Sequence, residues 1–195
     1  MITTEQIKEL RDATGISVMQ CKKALEETGG DMEKALIALR KKGGDLAAKK
    51  ADRTLGAGTV ASYIHSNGTV GSMVILSCET DFVAKNQEFK ALAYDIAMHV
   101  AALNPEYLKS EEIPEESKTK AMEVFASEVS GKPAAIKEKI LQGKLAAYFG
   151  EKTLLEQQFI KNPELTVKGL VDSGVQKFGE KIEVTKFARF SVLPN

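Results

Sequence analysis

Two histidines, His65 and His99, and two cysteines, Cys21 and Cys78, are the side chains of this 195-residue chain best suited to nucleophilic, acid–base or metal chemistry. Their spacing gives them little to do together. The histidines suggest no catalytic triad, and neither cysteine pairs with one of them. There is no C-x-x-C pair, so both thiols, each inside an apolar pattern, read as buried and reduced, with an intermolecular disulfide as the alternative. No cluster has zinc or calcium spacing. Neither G-x-x-x-x-G-K-[ST] nor G-x-G-x-x-G occurs, so direct nucleotide binding is not expected. Nothing here points to an enzyme, and no cofactor or metal is expected.

Another kind of chemistry is the insertion of an apolar side chain into a partner. The stretch CETDFVAKN, residues 78 to 86, follows an apolar run and precedes a helical pattern. Its Phe82 either falls into the chain's own core or stands out. Asp81 is placed to cap the following helix or to support a contact. Ile16, Val18 and Met19 gather at an early turn, and Met19 lies roughly 100° from Val18 on a helical wheel, off the apolar stripe. Methionine suits both a binding surface and a core.

The elements that must position these residues fall into three parts. Residues 4 to 42 read as three short helices, with stripes at Ile7 and Leu10, at Val18, Cys21 and Leu25, and at Met32, Ala35, Leu36 and Leu39. Thr3-x-x-Gln6 and Ser17-x-x-Gln20 match the capping box, and Asp31 suits a third cap. Gly15, Gly29-Gly30 and Gly43-Gly44 are the expected stops. Residues 40 to 58, with Arg40, Lys41, Lys42, Lys49, Lys50 and Arg53, read either as a solvated linker with a short helix or as a basic arm for an acidic partner or RNA. The expected division is 1–53, a docking module plus basic linker, and 54–195, a core domain that dimerises.

In the second part, TVASYIHS and VGSMVILSCE read as strands joined by a hairpin at Ser66-Asn67-Gly68, the second strand being central. Near the end, Ile182, Val184, Lys186 and Ala188 are expected on one face of a strand, while Phe187, Phe190 and Val192 break the phase as a bulge would. The helix at about 87 to 102 is apolar on two sides: Phe89, Leu92, Ala93, Ile96 and Val100 on one, Tyr94, Met98 and Ala101 on the other, with His99 at the margin. It is therefore expected to be covered twice, by another segment or by a second chain. Residues 114 to 149 read as a projecting helical hairpin broken at SGKP, with Met122, Phe125 and Val129 facing Ile136, Ile140 and Leu141. The fold class is α+β with an antiparallel sheet.

Composition narrows the function classes. The 27 basic and 27 acidic residues cancel, which argues against broad nucleic-acid binding. Hydrophobic residues make up 43% of the chain, enough for real cores, and no apolar run approaches the roughly 18 residues of a membrane helix. The polar, amphipathic start does not resemble a signal peptide. A cytoplasmic location is expected.

ELRDATGISVMQCKKAL, residues 9 to 25, and TDFVAKN, residues 80 to 86, resemble the two signature stretches of bacterial elongation factor Ts. The likeness continues through MHVAALNPEYL, SGKP and FARFSV. It implies a guanine-nucleotide exchange factor for elongation factor Tu, the GTPase that delivers aminoacyl-tRNA, and a ubiquitin-associated-like N-terminal module. Thr80, Asp81, Phe82 and Val83 match the segment that dislodges Mg²⁺ from the partner's GTPase domain. Leu10, Arg11, Val18 and Met19 match residues that touch that domain. Longer relatives have two related core units where this chain has one, so a homodimer is expected, with the two-faced helix at its seam. The rival reading is a chaperone or ribosome-associated adaptor, with TDFVAKN buried and the basic linker binding.

Overall fold

A computed structural model describes residues 2–128 and 134–192. Three helices open the chain: α1 (Thr4–Thr14), α2 (Val18–Glu27) and α3 (Met32–Lys49). The local signals at both ends of α1 and at the start of α3 form as the sequence predicts. Thr3 and Gln6 form a reciprocal capping box, Asp31 caps α3, and Gly15 ends α1 in the left-handed region. At α2 only half of the expected box forms. Ser17 accepts from the Gln20 N–H, while the Gln20 side chain accepts instead from Gln176 Nε2 at 2.7 Å.

The Gly43-Gly44 stop does not exist. α3 runs through both glycines, so what read as a linker is largely the second half of this helix. Gly43 is buried there for a tertiary reason. A Cβ at this position would lie 3.1 Å from the Asp172 carbonyl oxygen, so the missing side chain lets α3 approach α8 (Val167–Phe178). Leu10, Ile16, Cys21, Ala24, Leu25, Ala35 and Leu39 form a small core of their own, whereas Leu46 and Ala47 pack against the larger one.

The larger core is built on a three-stranded antiparallel sheet of β1 (Ala57–Ile64), β2 (Val70–Cys78) and β5 (Ile182–Ser191), with β2 central. The hairpin turn lies where Ser66-Asn67-Gly68 predicts it, Gly68 at φ 71°. One face of the sheet, through Val74, Leu76 and Cys78, meets Phe89, Ala93, Ile96, Ala97 and Val100 of α5 (Gln87–Leu103). Between the sheet and α5 comes the single turn α4 (Asp81–Ala84). The expected phase slip in β5 lies at Thr185, which has no partner in the β2 register. Lys186 and Ala188 therefore share the face opposite Val184, not the same one, and Phe187 turns to the core side opposite Val74.

Among the described residues nothing covers the opposite face of the sheet. Val60, Ile64, Met73 and Phe190 are all exposed on it. α5 is the better covered element: beyond the sheet it meets α8 through Phe89 and Phe178, and the hairpin of β3 (Gln158–Phe159) and β4 (Asn162–Thr166) through His99 and Phe159. The second cover expected for this helix is thus supplied within the chain, although Tyr94, edge-on to Tyr63, remains half exposed.

α6 (Glu115–Glu128) and α7 (Ala134–Gly150) form the expected helical pair. Phe125 meets Tyr148 at 5.6 Å and carries Lys144 over its ring. That contact lies farther along α7 than the Ile136–Leu141 stretch proposed from the sequence, and Ile136 and Met122 are exposed. Val129 and the SGKP break lie outside the described residues.

Candidate functional site

The TDFV segment begins where β2 ends. Cys78 is buried at the strand terminus, and its thiol donates to the Thr80 carbonyl at 3.2 Å. Burial raises the Cys78 pKa, with the Glu180 carboxylate adding to the effect, so this thiol packs rather than reacts. Thr80 is the N-cap residue of α4, but its hydroxyl does not cap the helix. Asp81, one residue later, does not cap it either. It pairs with Lys85 at 2.5 Å, a bond that holds its carboxyl below the usual range.

Successive helical residues differ in direction by about 100°, so one turn cannot bury all its side chains. Val83 and Ala84 take the inward positions, 5% and 8% exposed. Phe82 is left outside, 81% exposed. This resolves the ambiguity of the segment: the aromatic ring is presented to solvent on a turn anchored by its neighbours. Val83, grouped with it by the family resemblance, is buried and anchors the turn.

The N-terminal residues divide in the same way. Val18 and Met19 are 49% and 83% exposed at the start of α2, and Arg11 is exposed on α1. Leu10 and Ile16, by contrast, are 1% and 2% exposed inside the small core. Leu10 therefore lies beneath the surface that Arg11 offers. The Gln20–Gln176 bond and the α3–α8 packing tie this module to the larger core, and Lys177 of α8 reaches Glu88 at the start of α5.

Three of the six basic residues in this stretch are engaged within the chain. Arg40 pairs with Glu164 at 3.2 Å, Lys50 donates to the Gly179 carbonyl at 2.8 Å, and Arg53 binds both oxygens of Glu79 at 3.2 and 3.1 Å. The part of Arg53 at the edge of the TDFV segment is not visible in the sequence, where it belongs to a run of lysines and arginines. Its carboxylate partner lies 26 positions on.

The histidines have separate structural settings. His65 is exposed beside the Tyr63 hydroxyl at 3.1 Å. His99 is fully buried, not marginal. Among the described residues no group of three or more His, Cys, Asp or Glu side chains is arranged to hold a metal ion. Among them, too, no helix is long and apolar enough to cross a membrane. What the arrangement offers is a pair of exposed apolar projections, Phe82 and Val18–Met19, on anchored helices.

Comparison with known proteins agrees with the signature stretches. The family model described as Elongation factor TS matches residues 3–193. A protein named Elongation factor Ts from Carboxydothermus hydrogenoformans is 50% identical over 194 residues, covering 98% of this chain and 89% of the relative. Its namesake from Thermodesulfovibrio yellowstonii is 50% identical over 192 residues, covering 98% and 96%. That from Desulfotalea psychrophila is 51% identical over 193 residues, covering 98% of each. With a match running from the first helix to the last strand, the chain belongs to the elongation factor Ts family.

Proposed function

We propose that this chain is a guanine-nucleotide exchange factor that binds elongation factor Tu in its GDP form and promotes GDP release, supporting translation elongation in the cytoplasm. The observation that carries the reading is Phe82, a large apolar side chain held almost wholly in solvent on a turn that Val83 and Ala84 pack against the core. An isolated exposed phenylalanine is ordinary; one at the centre of a family signature and fixed on a strand end is suited to fill a partner's pocket. Thr80 and Asp81 border that contact, and Arg11, Val18 and Met19 meet the same GTPase domain.

The mechanism needs no covalent step. Bound GDP and bound exchange factor each weaken the other's affinity by the same factor. Mg²⁺ is among the largest local charges at a phosphate site, so displacing the partner's groups that hold it loosens GDP. Phe82 acts by occupying space that those groups need.

We further propose a homodimer whose seam is the open sheet face of Val60, Ile64, Met73 and Phe190, in place of the α5 face expected from the sequence. α5 is covered within the chain, whereas this apolar face has no cover among the described residues. Sedimentation at micromolar concentration is expected to give a dimer; a monomer there contradicts the seam.

Stopped-flow release of fluorescent GDP from elongation factor Tu tests the main reading. The wild-type chain is expected to accelerate release and Phe82→Ala to do so far less. Equal acceleration by both removes Phe82 from the mechanism. No acceleration by either, together with strongly salt-dependent RNA binding, returns the adaptor reading.

A further inference from the structure

We infer that Glu180 is a positioning residue for Phe82, clamping the TDFV segment from the turn between α8 and β5. This rests on the reading of Phe82 as the side chain that enters the partner. Glu180 lies 100 positions from Thr80 in sequence, yet its carboxylate takes three hydrogen bonds from the TDFV segment and the residue before it. Oε2 accepts from the backbone N–H of Glu79 at 3.1 Å and of Thr80 at 3.0 Å; Oε1 accepts from the Thr80 hydroxyl at 2.5 Å. The Thr80 hydroxyl, which at an N-cap ordinarily turns back to the helix, is turned away to this acceptor.

The clamp is reciprocal. The Glu79 carboxylate accepts from the Lys181 N–H at 2.5 Å, the residue after Glu180, and is held on its other side by Arg53. Two neighbouring carboxylates thus cross over, each binding the other's chain segment. The N–H donors and the Arg53 guanidinium offset the repulsion between them. The bond from Lys181 is the main reason the Glu79 carboxyl stays below the ordinary carboxylate range.

Such a clamp has a reason to exist beside Phe82. One helical turn is not stable alone, because nucleation fixes several dihedrals for a single hydrogen bond. The direction of α4 therefore depends on what holds its two sides. Val83 and Ala84 hold the floor, and Glu180 holds the entry, two residues before Phe82. A ring already aimed when it meets the partner loses less freedom on binding. Without Glu180 the N–H groups of Glu79 and Thr80 turn to water, and the entry to α4 is held mainly through the Glu79 carboxylate.

The carboxylate accepts three bonds, and glutamine preserves most of that. Its amide oxygen accepts from the two N–H groups, and its NH₂ donates to a re-oriented Thr80 hydroxyl. The test is GDP release from elongation factor Tu over a range of factor concentrations, with Glu180→Ala, Glu180→Gln, Phe82→Ala and the Phe82→Ala/Glu180→Ala pair. Glu180→Ala is expected to lower the maximal release rate by about three- to tenfold, the scale of re-ordering one or two side chains. The half-saturating concentration changes little, because the N-terminal contacts are intact, and Glu180→Gln keeps most of the rate. In the Phe82→Ala background Glu180→Ala adds nothing.

A wild-type rate in Glu180→Ala overturns the inference while leaving the exchange reading in place. So does an undiminished effect in the Phe82→Ala background, which would mean that Glu180 acts elsewhere. If Phe82→Ala itself releases GDP like the wild type, the wedge reading fails and the inference goes with it. Amide hydrogen exchange in the free chain tests the clamp without the partner: Glu79 and Thr80, whose N–H groups donate to Glu180, exchange faster in Glu180→Ala, and unchanged protection there also overturns it. Should Glu180→Ala fold poorly, Thr80→Val removes only the hydroxyl donor and is expected to show a smaller loss of the same kind.

Discussion

His99 shows how much one buried side chain commits. Its Nδ1 accepts the Ile160 N–H at 3.2 Å, so the proton must sit on Nε2, which donates to Gln157 Oε1 at 2.9 Å. The Gln157 amide is oriented in turn by donating to the Leu103 and Glu151 carbonyls. Only neutral imidazole fits, and burial pushes its pKa below the ordinary 6.5. Below about pH 6.5 the unfolded chain takes up a proton there that the folded chain refuses, so stability falls as pH falls. Denaturant midpoints are expected to drop from about pH 7 to about pH 5.5. His99→Gln, less stable throughout, should lose that part of the slope; an identical slope assigns it to other groups. In the sequence His99 sits between two apolar faces of a helix wheel, and nothing local reveals that β3 and β4 close over it. Leu10 and Phe82 carry the same lesson in opposite directions. Both are large apolar residues in signature stretches, and only the packing of their neighbours decides that one is hidden and the other presented.

At the scale of elements, what is encoded within a few residues is legible. The Thr3 and Asp31 caps, the Gly15 stop and the Asn67-Gly68 hairpin depend on backbone chemistry within one turn, and each forms where the sequence places it. What depends on a distant partner is not. Gly43-Gly44 has the composition of a helix end, but Gly43 serves contact with α8, more than 120 residues later. The bulge at Thr185 is visible as a broken alternation, but its position is set by pairing with Ile75 and Leu76. Gly43→Val provides the test of the α3–α8 seat. A side chain against the Asp172 carbonyl is expected to cost about 1–3 kcal/mol, as overpacking does, read from the denaturant midpoint. An unchanged midpoint means that the two helices are less closely seated than described.

For the whole molecule, a net charge of zero leaves recognition to shape and apolar contact rather than to long-range attraction. Exposed apolar groups lie in separate regions, among them Val18 and Met19 on the small module, Phe82 at the edge of the sheet, and Phe190 with its neighbours on the open face. Phe190→Asp puts a charge at the proposed seam and is expected to shift sedimentation toward the monomer; an unchanged dimer locates the seam elsewhere. The proposed exchange activity rests on Phe82 entering the partner. Truncating a buried phenylalanine removes roughly 2–3 kcal/mol of apolar contact, or on the order of a thirtyfold to hundredfold change in rate where that contact drives the step. The most direct measurement compares wild type and Phe82→Ala in GDP release from elongation factor Tu, first with Mg²⁺ and then with the ion chelated. If Phe82 works by dislodging the ion, the variant is much slower with Mg²⁺ and the difference closes in chelator, where the ion has already gone. A difference of equal size in both conditions contradicts the account, since Phe82 would then be loosening GDP by a route that does not pass through the Mg²⁺ site.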